Sequence, residues 1–258
     1  MDGNITNWLN LIFRWIHVVA GIAWIGHLYF FNWVNAHFAK TLTAENKKAV
    51  VPELMPRALY WFRWGAAWTW ITGLLLLALV YYGQGALFQD PSRPNHMMGG
   101  IMLILLLVFA FLYDVIMKAM GTNQMVANAL GLALLALLYF LGDQFADFGG
   151  RGLYIFMGSA LGTAMALNVW MRIWPAQRKI ITAIKNGEAP DAALVAMAGL
   201  RSRQNTFMSV PLVFFMISNH YPTVYGTDLH WLWAAVIVAI GFLAVSLLYK
   251  KSAAVPAF

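Results

Sequence analysis

Inside the first long apolar stretch, 8–38, stand Arg14, His17, Gly21, Trp24 and His27. A helix that crosses lipid rarely holds one ionisable residue, and this one holds Arg14, His17 and His27, with His37 near its end. Each is costly there unless it faces a cavity, a partner or a cofactor. The spacing i, i+3, i+7, i+10 puts Arg14, His17, Gly21 and Trp24 on one helix face, with a side-chain-free notch at Gly21. Two chemistries suit these residue types. An imidazole at His17 beside a glycine notch fits a b-type haem, whose iron takes one or two histidines and whose flat ring needs small residues nearby. A buried guanidinium at Arg14 fits an anion. His27 follows His17 by ten residues, about 15 Å along the axis, so the two cannot share one metal ion.

The other candidates lie further along. His96 precedes Gly99-Gly100 and offers a second haem ligand with its own gap, so the expected iron pair is His17 with His96. His220 and His230 flank the last connection, on the same side of the membrane as His96. For each histidine the alternative is a hydrogen bond to a neighbouring helix or a place at the membrane interface. Asp143 and Asp147 read as solvated loop residues, and Asp114 as the partner of a basic group. With no cysteine and no HxxxH or HxH pair, zinc and copper sites are disfavoured, and iron–sulfur clusters and c-type haem are excluded from this chain. No Ser/His/Asp set or GxSxG motif suggests a hydrolase.

What must position these residues is a membrane fold. The chain has 258 residues, 61% hydrophobic and 10% charged, where soluble proteins average about 25% charged. Apolar stretches long enough to cross a ~30 Å hydrocarbon layer recur along it. The pattern predicts an all-α polytopic membrane protein, one integral-membrane domain over 1–258 with about seven transmembrane helices. The spans fall near 8–38, 59–82, 96–117, 125–142, 152–174, 206–220 and 229–249. The stretch 39–58 reads as a loop, and 175–205 as a long amphipathic connection whose first part lies as a short helix on the membrane surface. Asn186-Gly187 breaks that helix, and a second one begins near Pro190.

This arrangement leaves fourteen Lys and Arg on one side and only Arg93 and Arg151 on the other. The asymmetry predicts the N-terminus outside and the C-terminus in the cytoplasm. The net charge of +7 is therefore a topology signal. A basic groove with stacking aromatics is missing, which argues against nucleic acid as a partner.

The motifs resemble a known family. Arg14-Trp-Ile-His17-Val-Val-Ala-Gly-Ile-Ala-Trp-Ile-Gly26 is similar to the opening of the membrane domain of bacterial urate hydroxylases of the PuuD type. The likeness continues at Trp61-Phe62-Arg63-Trp64, Tyr113-Asp114, Pro175-Ala-Gln-Arg178-Lys179 and Gly187-Glu-Ala-Pro190-Asp191. It closes at Pro211 and Met216-Ile-Ser-Asn219-His220-Tyr-Pro222, so it spans nearly the whole chain. The resemblance implies a bacterial inner-membrane oxidoreductase converting urate to 5-hydroxyisourate, with His17, Arg14 and His220 as site residues. Typical members pass electrons to a fused cytochrome c domain. This chain has no CxxCH and would pass them to a separate cytochrome. Four departures stand out. Ala58, Tyr60 and Gly65 occupy positions where typical members carry histidines and a carboxylate, and Arg201-Ser-Arg203-Gln204-Asn205 replaces an Arg-Ser-x-His-Asn pattern. These favour the alternative of a non-catalytic transmembrane subunit, bearing haem b, in a larger electron-transfer complex.

Overall fold

A computed structural model describes residues 3–121 and 123–254. The helices are α1 (Gly3–Tyr29), α2 (Ala36–Thr41), α3 (Ala44–Leu76), α4 (His96–Ala119), α5 (Gln124–Phe145), α6 (Gly150–Leu167), α7 (Trp174–Asn186), α8 (Ala192–Ile217), α9 (Pro222–Tyr225) and α10 (His230–Ala253). No strand is present among the described residues; the only pairing of that kind is an isolated bridge between Phe88 and Phe148. Among the described residues, six helical stretches are long and apolar enough to cross a membrane: Gly3–Thr41, Ala44–Tyr82, His96–Ala119, Gln124–Phe145, Gly150–Asn186 and His230–Ala253. The protein is an all-α polytopic membrane protein. The remaining long helix, α8, holds the expected span 206–220 in its second half, and Arg201 and Arg203 leave its apolar part short.

Three of these stretches widen into π-helical turns, at Phe30–Asn35, Leu77–Tyr82 and Asn168–Ile173. A π turn re-aims the side chains around it and often marks a functional position. Here the turns carry Asn32, Tyr81 and Asn168.

The connections differ from the sequence reading in two places. The stretch 39–58 is mostly helix, not loop. Only Leu42 and Thr43 separate α2 from α3, and the Thr43 hydroxyl accepts the Asn46 N–H at 3.2 Å as an N-cap. Pro52 and Pro56 stay inside α3. The charges and prolines that suggested a loop are the solvated early turns of a long helix. In the stretch 175–205, the amphipathic helix is α7, ended by Gly187 in the left-handed region at φ 80°. Its apolar face packs on α8. Ala176 and Ile180 pack against Ala198 of α8, with Leu194 and Met197 beside them. The helix expected after Pro190 runs on through Pro211 to Ile217.

The helices cluster into two compact units, each assembled from separate stretches of chain. The first falls within Met1–Trp15, Trp70–Met165 and Pro211–Ala239. Its α4–α5 hairpin is capped by Asn123, whose side chain accepts the Val126 N–H. The loop after α3 is fastened to the turn before α6. Gly149 N–H donates to Leu87 O at 2.9 Å and Gln89 N–H to Asp147 O at 2.8 Å. Phe88 meets Phe148 edge-on, and Phe148 meets Phe156 in the same way.

The second unit falls within Ile16–Thr69, Ala166–Val210 and Ile240–Phe258. Here α1 and α3 approach until their backbones touch at Gly65. A Cβ on Gly65 would lie 3.0 Å from Trp24 N and 3.1 Å from Ala20 O. Gly65→Ala is therefore expected to cost about 1–3 kcal/mol through overpacking. Thermal unfolding in detergent checks this, and an unchanged midpoint would show that the helices part freely. Polar side chains bind the rest. Asn32 Nδ2 donates to Ser202 Oγ at 2.8 Å, and Tyr249 OH donates to Asn32 Oδ1 at 2.9 Å. Asn168 Nδ2 donates to Asn205 Oδ1 at 2.8 Å. Bonds of this kind between membrane helices contribute roughly 0.6–2 kcal/mol each.

Candidate functional site

At one end of the first unit, the π turn after α3, α5 and α8 finish, while α4, α6 and α10 begin. Arg151 stands there in the first turn of α6, in the run Gly149-Gly150-Arg151-Gly152. The glycines are dictated by contact. A Cβ on Gly150 would fall 2.0 Å from Tyr225 O, and one on Gly152 would fall 2.0 Å from Leu87 O. Two loop carbonyls thus press on this turn and hold Arg151 between them.

Arg151 Nε donates to Asn219 Oδ1 at 2.9 Å, and Tyr81 OH donates to the same oxygen at 3.1 Å. Two donors on one atom fix which end of the amide is oxygen. The π turn after α3 presents Tyr81, and the 3-10 turn Ser218–His220 presents Asn219. Tyr225 OH holds the Asn219 carbonyl at 3.3 Å. Asn219 is only 7% exposed, yet its Nδ2 has no hydrogen-bond partner among the described residues. An unmet buried donor costs about 1–3 kcal/mol. A ligand oxygen placed there would recover that cost. With the exposed guanidinium of Arg151, it makes a set of N–H donors and one positive charge. That set suits a flat anion edged with carbonyl or carboxylate oxygens.

A second group adjoins it. His230, at the start of α10, is hydrogen-bonded through Nδ1 to Tyr139 OH, and its Nε2 lies 3.9 Å from Asp143 Oδ1. Tyr139 and Asp143 are one turn apart on α5. Tyr154 OH donates to His230 O at 2.8 Å and fixes the imidazole's backbone. The Tyr154 ring also meets Tyr225, which joins the two groups. An imidazole between a phenol and a carboxylate can take up or hand on a proton. Tyr139→Phe is expected to cost about 1 kcal/mol by removing one partly buried hydrogen bond. Chemical denaturation measures this, and a variant as stable as wild type would deny the bond.

The residues singled out in the sequence take other places. Arg14 Nε donates to Asn10 Oδ1 at 2.7 Å, one turn back on α1. His17 is half-buried on α1 and lies in the second unit, whereas His96 lies in the first. A Cβ on Gly21 would already touch Thr69 at 3.8 Å. His96 is exposed, with its ring against Tyr82 and Phe88. A Cβ on Gly99 would lie 2.8 Å from Phe88 Cζ. Thr69 thus lines the notch at Gly21, and Phe88 closes the gap at Gly99. His220 is exposed, and its neighbour Asn219 turns inward instead. His27 donates from Nδ1 to Ala23 O at 2.7 Å, and His37 meets Ser252 at 3.3 Å. Among the described residues no three His, Cys, Asp or Glu side chains gather to hold a metal ion. Sequence reasoning met Arg151 as a topology charge, Asn219 as a motif residue and His230 as one more histidine, and did not join them. The available signals were the glycines around Arg151 and the one-turn spacing of Tyr139 and Asp143.

The family described as urate oxidase N-terminal matches the chain over residues 3–49 and 42–256. No curated protein and no solved structure matches it.

Proposed function

This chain belongs to the urate oxidase N-terminal family, and we propose that it is an oxidoreductase of the bacterial inner membrane acting on urate. The observation that carries this reading is the unpartnered Nδ2 of Asn219 beside Arg151, inside the matched segment. Urate is a flat monoanion at neutral pH, edged with carbonyl oxygens. Arg151 would balance its charge, and Asn219 Nδ2 would donate to one of its oxygens. In the reaction, urate and water give 5-hydroxyisourate, two electrons and two protons. The oxygen of water bonds to C5 of the purine, and His230 with Asp143 would lead a proton away. The electrons would leave to a separate cytochrome c or another redox subunit. The Lys and Arg asymmetry supports placing this end of the first unit outside the cytoplasm, where such a cytochrome is met.

The test is reduction of a c-type cytochrome by proteoliposomes holding the purified chain. Reduction that depends on urate and fails with Asn219→Asp supports the reading. No reduction of any of several acceptors by folded protein would sink it. Gly65 favours a second reading. By resemblance, typical members carry a carboxylate at this position, whereas here the α1 backbone fills the space a side chain would need. The loss of that side chain supports a non-catalytic transmembrane subunit in an electron-transfer complex. Its signature is co-purification with redox partners and no urate dependence.

A further inference from the structure

We infer that the second unit carries a binding site for the phosphodiester of an anionic phospholipid, formed by Arg63, Arg178 and Trp174. The inference does not depend on the oxidoreductase reading. The Arg63 guanidinium lies over the Trp174 ring at 4.0 Å, with Tyr60 at 5.7 Å and Trp170 at 5.9 Å. Arg178, one turn after Trp174, sits over the same indole at 5.9 Å. Two guanidiniums thus converge on one ring. Neither meets a carboxylate among the described residues, and the buried Nε of Arg63 has no hydrogen-bond partner. Two like charges packed on one indole repel, and the repulsion grows as water is excluded. Aromatic faces soften a cation's desolvation but do not neutralise it. A multidentate anion between the two guanidiniums would do so.

The surroundings select lipid as the source of that anion. Arg63 belongs to a stretch long and apolar enough to cross the membrane. Tyr60, Trp61 and Trp64 on the same helix are exposed, in the pattern of an interfacial aromatic belt. Trp64 also packs edge-on against Trp170, whose indole N–H donates to Arg63 O at 3.1 Å. That bond pins the backbone from which Arg63 projects. An open groove of Pro52, Glu53, Pro56, Arg57, Tyr60 and Trp61 continues from the same tyrosine and gives room to a headgroup. Arg57 is already paired with Glu53 at 2.8 Å, so the unpaired charge is that of Arg63 and Arg178.

Native mass spectrometry of the full chain in detergent tests this. The probes are phosphatidylglycerol, phosphatidylcholine of the same acyl chains, and inorganic phosphate. Wild type is expected to retain phosphatidylglycerol at about tenfold lower concentration than phosphatidylcholine, with Arg178→Gln losing most of that preference and Arg63→Gln/Arg178→Gln losing all of it. Lys250→Gln, which removes the same charge elsewhere, should keep it. Equal retention of the two lipids by wild type overturns the site, as does an equal loss in Lys250→Gln. Displacement of phosphatidylglycerol by millimolar phosphate would mark a free-anion site and overturn the lipid assignment. If the double variant does not fold, the exposed Arg178→Gln change decides alone.

Discussion

Adding one methyl group at Gly152 is expected to destabilise the protein by about 3 kcal/mol, the upper end of ordinary overpacking. The new Cβ would stand 2.0 Å from Leu87 O, 2.7 Å from Leu87 C and 2.8 Å from Leu87 Cα. These are backbone atoms, and Leu87 is fully buried. Its carbonyl also accepts the Gly149 N–H, so retreat would break a second bond. The displaced turn carries Arg151, whose bond to Asn219 should be lost as well. Gly162→Ala, on the same helix, is the internal control. There the added Cβ meets only the end of Leu212 at 3.4 Å. Alanine is favoured over glycine in a helix interior by about 1 kcal/mol, so this variant should be neutral or stabilising. Thermal unfolding of both in one detergent reads the contrast. Similar midpoints for the two would contradict the close approach at Gly152.

The second large effect is chemical. Asn219→Asp should keep the fold and abolish recognition of the anion. A carboxylate oxygen can accept from Arg151 Nε and Tyr81 OH as the amide does. The side chain stays the same size, so the unfolding midpoint should hold. What changes is the free end. A donor becomes an acceptor, and its negative charge pairs with Arg151 and repels the ligand. Like charges brought together in such a site cost several kcal/mol, and about 3 kcal/mol corresponds to a loss of roughly a hundredfold in affinity. Titration with urate measures it. Undiminished urate binding by a stable Asn219→Asp protein would remove Asn219 from the site.

The legible part of this fold was the part set by one-dimensional signals. Apolar runs marked the long helices, although α3 begins at Ala44 and α8 at Ala192, well before the expected 59 and 206, and Asn186-Gly187 gave the end of α7. Two things were hidden because they depend on neighbours. The stretch 39–58 resembles a loop in composition, since polar residues are as much at home on a solvated helix as in a turn. The face of α7 has the pattern of a lipid-facing helix, and only the presence of Ala198 and Leu194 opposite decides where it packs. The cluster around Asn219 was hidden for a similar reason. Ionisable groups deep in an apolar run stand out, and so attention fell on His17 and Arg14. Asn219 is conspicuous only once two donors occupy its oxygen and its nitrogen is left over. Its neighbour His220 has the more reactive side chain and the more exposed position. The urate oxidase family itself was legible, because its motifs are carried by contiguous residues.

The three π turns bear on how relatives of this chain should be compared. A π turn is an α-helix that has accepted one extra residue without breaking. Everything after it is rotated by about 100° relative to an uninterrupted helix. A relative without the insertion would show a one-residue gap within 30–35, 77–82 or 168–173. A comparison that refuses such gaps would pair Tyr81 or Asn168 with a residue on the wrong side of its helix. Gap placement at these three positions thus becomes a ruler for ancestry, showing which lineages gained the bulges that present Asn32, Tyr81 and Asn168.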